Sequence, residues 1–478
     1  MMSGLKSYSA MKPSHVEWLG DVPAQWEVKR LRQIAEMLVS NIDKHTNSSE
    51  EAVRLCNYVD VYKNERITEH LSFMRASARK EEIERFRLRK GDVAITKDSE
   101  SWSDIGVPAL IECEAPDLVY GYHLAILRSR EEALIGQYLL RTLQCRGVDT
   151  QFHVAANGVT RFGLSHNAIK SVLIPVPPIE EQAAIVRYLD WANARLERAI
   201  RAKRKIIALL NEQKQSIIYR AVTRGLNPNA ALKPSGASWL GDVPRGWDVL
   251  RAKYLFREVD ERSSSGSEEL LSVSHLTGVT PRSQKNITMF KAESYVGHKL
   301  CRPGDLVINT MWAWMGALGT SREVGIVSPA YGVYRRHNEG VLKPLYIDSL
   351  LRTRLYIDEF TRRSTGIRSS RLRLYPEEFF KVEILVPPPT EQDAILKFIA
   401  ERTESLDNSI GRIAAEVELL REYRIRLIAD VVTGKLDVRA IAAGLPATVT
   451  EPEVPTELES DALDLENEEL IEEAQVER

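Results

Sequence analysis

The 478-residue sequence has only four cysteines, Cys56, Cys113, Cys145 and Cys301, scattered with no C-x-x-C pair. That spacing argues against a disulfide framework or a structural zinc site and suits reduced cytosolic thiols. No apolar run approaches the roughly 20 residues of a membrane helix. The opening MMSGLKSYSA has no apolar core of signal-peptide length, so a cytoplasmic location is expected. Catalytic signatures are missing too. There is no G-x-G-x-x-G and no G-x-x-x-x-G-K-[ST]; Gly434-Lys435 lacks the upstream glycine. The Asn-Pro-Pro-aromatic loop of an adenine amino-methyltransferase is absent, and Val-Pro-Pro at 176–178 and 386–388 offers the target amine no side-chain acceptor. The nine histidines are dispersed, without H-E-x-x-H, so a lone His123 or His153 reads as structural or surface. No group of carboxylates has metal-nuclease spacing.

What is present suits a folded protein of two to four units: 44% hydrophobic and 28% charged residues. The net charge of −2 is misleading. Residues 451–478 hold twelve acidic residues and one arginine, so residues 1–450 carry +9, compatible with a polyanionic partner. From about 440 the alternating Glu and Pro predict a disordered, solubilising tail.

The chain repeats itself. Lys12-Pro13-Ser14, Trp18-Leu19-Gly20-Asp21-Val22-Pro23 and Trp26 recur 221 residues later as Lys233-Pro234-Ser235, Trp239-Leu240-Gly241-Asp242-Val243-Pro244 and Trp247. Gly91-Asp92-Val93-Ala94-Ile95 is echoed by Gly304-Asp305-Leu306-Val307-Ile308, and Asn157-Gly158-Val159-Thr160-Arg161 more loosely by Thr365-Gly366-Ile367-Arg368-Ser369. Val176-Pro177-Pro178 with Glu181-Gln182 returns as Val386-Pro387-Pro388 with Glu391-Gln392. Matches in one order at similar offsets mean two copies of one unit.

Each copy opens with an α+β part, which Leu173-Ile174-Pro175-Val176 or Val382-Glu383-Ile384-Leu385-Val386 closes as a strand. A segment almost free of glycine and proline follows. Leu189, Leu196, Lys203, Leu210 and Ile217 stand seven apart in the first, Ile399, Leu406, Ile413, Leu420 and Leu427 in the second. Sustained heptads predict a coiled coil of two helices of about 40 residues, about 60 Å each. Because a globular part lies between them in sequence, they are expected to pair antiparallel, with Lys203 snorkelling at the edge. The expected boundaries are 1–178, 179–226, 227–388, 389–439 and 440–478: globular part, helix, globular part, helix, tail.

The runs P-P-I-E-E-Q-A-A-I-V-R-Y-L-D (177–190) and P-P-T-E-Q-D-A-I-L-K-F-I-A (388–400) resemble the specificity subunits of Type I restriction–modification systems. So do the Trp-Leu-Gly-Asp-Val-Pro-x-x-Trp openings, Gly91–Glu100 and Met311-Trp-Ala-Trp-Met-Gly-Ala-Leu-Gly319. The resemblance covers about 13 to 439 and implies an α+β fold with two target-recognition domains held apart by an antiparallel helix pair. It further implies a non-catalytic reader of double-stranded DNA on which two methyltransferase (modification) subunits dock, motor-nuclease restriction subunits joining through them. S-adenosylmethionine, ATP and Mg would be bound by those partners. Two unlike readers on one chain imply an asymmetric, split target, where a homodimer would read a palindrome. The rival readings are a coiled-coil scaffold that reads no DNA, and a methyltransferase or nuclease with degenerate motifs. Binding of S-adenosylmethionine by the chain alone would favour the last.

Reading base edges needs arginine or lysine for guanine and asparagine or glutamine for adenine. Such groups concentrate on glycine-bearing loops before the closing strands: Asn157, Thr160 and Arg161 in the first copy, Arg368, Ser369, Ser370 and Arg371 in the second. Lys97, Asp98 and Ser99, and opposite them Asn309 and Thr310 in the second copy, are further candidates. Trp312 and Trp314 could stack at DNA, although aromatics amid Met and Ala are more often core.

Overall fold

A computed structural model describes residues 5–130, 132–284, 294–366 and 372–446. The candidates Arg368, Ser369, Ser370 and Arg371, and the acidic tail, lie outside the described residues. Among those described, no helix is long and apolar enough to cross a membrane.

Two helices dominate, Ile179–Arg224 and Pro389–Val432. Each starts directly after a proline pair, with glutamates in its first turn where the helix dipole favours them. Each ends near a left-handed glycine, Gly225 (φ 73°) or Gly434 (φ 74°). The chain divides into two compact units, and each takes one half of both helices. The first unit combines residues up to Lys203 with the described residues from Ala415 onward; the second runs from Arg204 to Ala414.

Within the first unit the heptad prediction becomes packing. Leu189, Leu196 and Ile200 are buried from one helix, Val417, Leu427 and Val431 from the other. Glu197 pairs with Arg424 and Lys203 with Glu416, so partner numbers fall as the first helix advances and the two run antiparallel. Lys203 occupies a core heptad position yet keeps its ammonium at the edge on Glu416, as expected of a long cationic side chain. In the second unit Lys214 pairs with Asp407 at 2.6 Å across the two helices.

The globular part of the first unit is built on a five-stranded sheet. Its order is Ala35–Val39, Leu124–Ser129, Val93–Thr96, Pro108–Ile111 and Arg66–Ile67, antiparallel except for the last pair. A second sheet of Leu118–Tyr120, Glu51–Cys56 and Met74–Ala78 closes a separate apolar cluster. The second unit has a four-stranded sheet of Phe256–Glu258, Gly332–Arg336, Leu306–Ile308 and Leu318–Thr320. The predicted closing strands exist in both units. Leu173–Val176 pairs with Glu27–Arg30, and Glu383–Val386 with Asp248–Arg251, both antiparallel.

The repeated motifs do repeated structural work. The Trp-Leu-Gly-Asp-Val-Pro arms form short hairpins, Met11–Pro13 with Asp21–Pro23 and Leu232–Pro234 with Asp242–Pro244. Their tryptophans, Trp26 and Trp247, are fully buried and cap a helix end. A Cβ on Gly434 would meet Pro23 at 2.2 Å and Trp26 at 3.3 Å; one on Gly225 would meet Trp247 at 3.3 Å. The arm of the first copy therefore caps the helix that ends the second copy, and each unit receives the same set of parts.

Candidate nucleic-acid interface

An ion pair on a buried aspartate anchors the central sheet of each unit. In the first, Arg128 grips Asp92 bidentately (2.8 and 2.7 Å), and Asp92 accepts from the Arg89 amide at 2.9 Å. In the second, Arg335 grips Asp305 (2.8 and 2.8 Å) while Asp305 accepts from the Arg302 amide at 2.9 Å. These are the aspartates of the repeated Gly-Asp motif, and both are almost wholly buried. Paired and hydrogen-bonded in this way, they fix the start of one central strand per reader.

The candidate loops grow from the far end of that strand. Asn157–Gly158 pairs with Phe162–Gly163, which pairs with Asp98–Ser99. Two stretches singled out separately in the sequence thus form one small three-stranded sheet. The Leu164 amide bonds to the Lys97 carbonyl at 2.9 Å. In the second unit the Leu374 amide bonds to the Thr310 carbonyl, also at 2.9 Å, and Thr365 and Arg373 bridge across the base of the corresponding loop. Among the described residues the bond that anchors the base of the loop is the same in both.

The side chains around it differ. At equivalent positions the first unit has Lys97, Asp98, His123 and Gly163 where the second has Thr310, Met311, Ala330 and Arg373. Lys97 Nζ lies 2.9 Å from Asp98 Oδ2, and His123 Nδ1 lies 3.2 Å from the same oxygen. Arg161 Nη2 stands 3.2 Å from both ring nitrogens of His123. In the second unit Arg373 meets Met311 Sδ at 3.5 Å, Trp312 and Trp314 stack half-exposed at 5.6 Å, and Trp314 Nε1 donates to the Met311 carbonyl at 2.8 Å.

Asn157, Thr160 and Arg161 are exposed at the hairpin, as a contact with DNA would require. Lys97 is half-buried and its charge is engaged by Asp98. Two candidates need correction. Ser99 is buried, facing the Tyr58 hydroxyl at 3.2 Å, and Asn309 is fully buried, donating to the Tyr331 hydroxyl and accepting from the Met311 amide. Groups so enclosed brace the loop and cannot meet a base edge. Neither His123 nor Trp102 was legible as a site residue. His123 joins the cluster only because strand pairing sets it beside Lys97, whose amide bonds to the His123 carbonyl at 2.9 Å. Trp102 is 56% exposed and edges onto His153 above an open depression that includes Arg146 and Thr150.

Residues 23–207 match the family model of the Type I restriction modification DNA specificity domain. Residues 23–207 are thus similar to a DNA specificity domain, and the relatives that the chain resembles are specificity subunits of Type I restriction enzymes. The chain is 25% identical over 234 residues to a putative type I restriction enzyme MjaX specificity subunit of Methanocaldococcus jannaschii, covering 48% of this chain and 53% of that one. It thus spans about half the length of that relative. It is also 23% identical over 333 residues to the type I restriction enzyme MjaVIII specificity subunit of the same organism, covering 66% of this chain and 73% of the relative. A chain from a structural study of complex assembly and conformational transition of the type I R-M system superposes with TM-score 0.57 at 17% identity, covering 87% of this chain and 99% of that one. That likeness is one of fold.

Proposed function

We propose that this chain is a specificity subunit that reads a split, asymmetric DNA target, one half-site per globular part, and performs no chemistry itself. In this reading it works in the cytoplasm within a Type I complex and holds two modification subunits, through which restriction subunits join. S-adenosylmethionine, ATP and Mg belong to those partners. The observation that carries the proposal is the pair of sheet ends: one backbone anchor, built twice, with different side chains at equivalent positions around it. Identical edges would suit a palindrome; unlike edges on one chain suit two different half-sites.

The test is to map methylated adenines in DNA exposed to the assembled complex. The expected pattern is two short specific segments around an unread gap of fixed length. Arg161→Ala should relax or abolish one segment while the complex still assembles, and Arg368→Ala should affect the other. Each lost bidentate base contact should cost about 1–3 kcal/mol at one position, whereas a lost phosphate contact weakens all sequences alike. A contiguous palindromic target, or methyl transfer by the rigorously purified chain alone, would overturn the proposal.

A further inference from the structure

Arg161 projects from a short exposed hairpin, where a free arginine would sample many rotamers and lose that freedom on binding. Here it does not hang free. Its Nη2 is equidistant, 3.2 Å, from Nδ1 and Nε2 of His123. An in-plane approach at those distances would drive the nitrogen into the carbon between them. Nη2 therefore lies off the imidazole plane and directs an N–H at the ring face, a cation held on an aromatic ring.

The ring is itself held. A carboxylate only accepts, so Asp98 Oδ2 fixes the proton of His123 on Nδ1 at 3.2 Å, and Lys97 Nζ holds that carboxylate from the other side at 2.9 Å. The backbone of His123 is tied to Lys97, and Asp98 is paired in strand register with Gly163, two residues beyond the arginine. The members of the chain Lys97–Asp98–His123–Arg161 thus lie in or directly beside one small sheet. The second unit has Ala330 in place of His123.

We infer that His123 is a positioning residue that presents Arg161 to a guanine in the half-site read by the first unit. The ligand class follows from the donor: with one Nη2 N–H spent on the ring, the guanidinium still has a two-donor fork to offer, and guanine is the base whose major-groove edge carries the two adjacent acceptors O6 and N7. The inference rests on the DNA-reading role proposed above. It predicts that specificity at one guanine depends on a histidine that does not itself touch DNA.

The experiment uses the assembled complex and duplexes carrying the mapped target, each guanine of the first half-site replaced in turn by 7-deazaguanine, which lacks N7. One replacement should weaken wild-type binding roughly 5- to 150-fold, the range of one bidentate contact. In Arg161→Ala that replacement should have no further effect. His123→Ala should reproduce the loss at that base alone. His123→Phe, which restores a ring face without the Asp98 bond, should recover most of it, an outcome a merely structural histidine would not give. A half-site without a sensitive guanine, or a His123→Ala complex with unaltered selectivity or uniformly weaker binding to all sequences, would overturn the inference. In those cases a split methylation pattern would leave the two-reader function standing, whereas loss of that pattern in the wild-type map would remove the function itself.

Discussion

The repeated Glu-Gln at each helix start shows how a single side chain can hold a reader on its helix. Gln182 is fully buried, donating to the carbonyls of Pro177 and Ala133 and accepting from the Ile135 amide, all at 2.9 Å. Gln392 repeats the arrangement with Pro387, Val341 and the Lys343 amide at 2.9, 2.8 and 2.9 Å. Each glutamine satisfies the backbone of a helix entry and of the loop before the next helix of its reader. Removing it strands partly or wholly buried groups at about 1–3 kcal/mol apiece. Gln182→Met and Gln392→Met should each lower the thermal midpoint by several degrees. Because they sit in different units and share no partner, the double variant should lose the sum of the two, measured by calorimetry. A strongly non-additive double variant would show that the two positions act as one. The glutamines were legible as a repeated motif, but their job was not, since nothing in the linear spacing reveals which carbonyls they will meet.

At the level of elements, the long helices were the most legible feature. Heptad spacing places Leu189, Leu196, Leu427 and Val431 in the core, and there they lie. What spacing could not reveal is how the first reader is tied to both helices. Glu65 receives Arg141 and Arg424, both at 2.7 Å, and Asp190 receives Arg141 at 2.7 Å. These residues lie far apart in sequence and only tertiary packing assembles them. Burial alone would raise the Glu65 carboxyl; the guanidiniums of Arg141 and Arg424, helped by the Gln144 amide, outweigh it and hold the carboxyl below its usual range. A carboxyl lowered by folding stabilises the fold above its unfolded value, about 4.3, and that contribution disappears as pH falls through the folded value. The full chain should therefore lose stability between about pH 5 and pH 3, in part through this group. Glu65→Gln should be less stable at pH 7 and should show a shallower acid decline in melting temperature. An acid limb unchanged by the substitution would assign the decline to other carboxylates.

Taken whole, the chain is a duplication in which each unit is completed by a helix half from the other copy's sequence. Such a plan should offer a partner the same surface twice. Leu209 and Leu419, separated by the 210-residue offset of the helix repeat, are 54% and 63% exposed, against the buried or half-buried leucines of the heptad seam. Ile206 and Ile425, also exposed at 46% and 53%, extend apolar surface along the same two helices. On the proposed docking of two modification subunits, each would cover one of these matched leucines, gaining about 1.5–3 kcal/mol per buried side chain. The expected outcome is that Leu209→Asp and Leu419→Asp each reduce the bound modification subunits from two to one, and that the double variant retains none while still binding its DNA target weakly. Native mass measurement of the co-purified complex reads the stoichiometry directly. Two subunits retained on the double variant would place the docking surface elsewhere. Loss of both subunits from a single variant would mean that they bind cooperatively, with the first creating part of the site for the second.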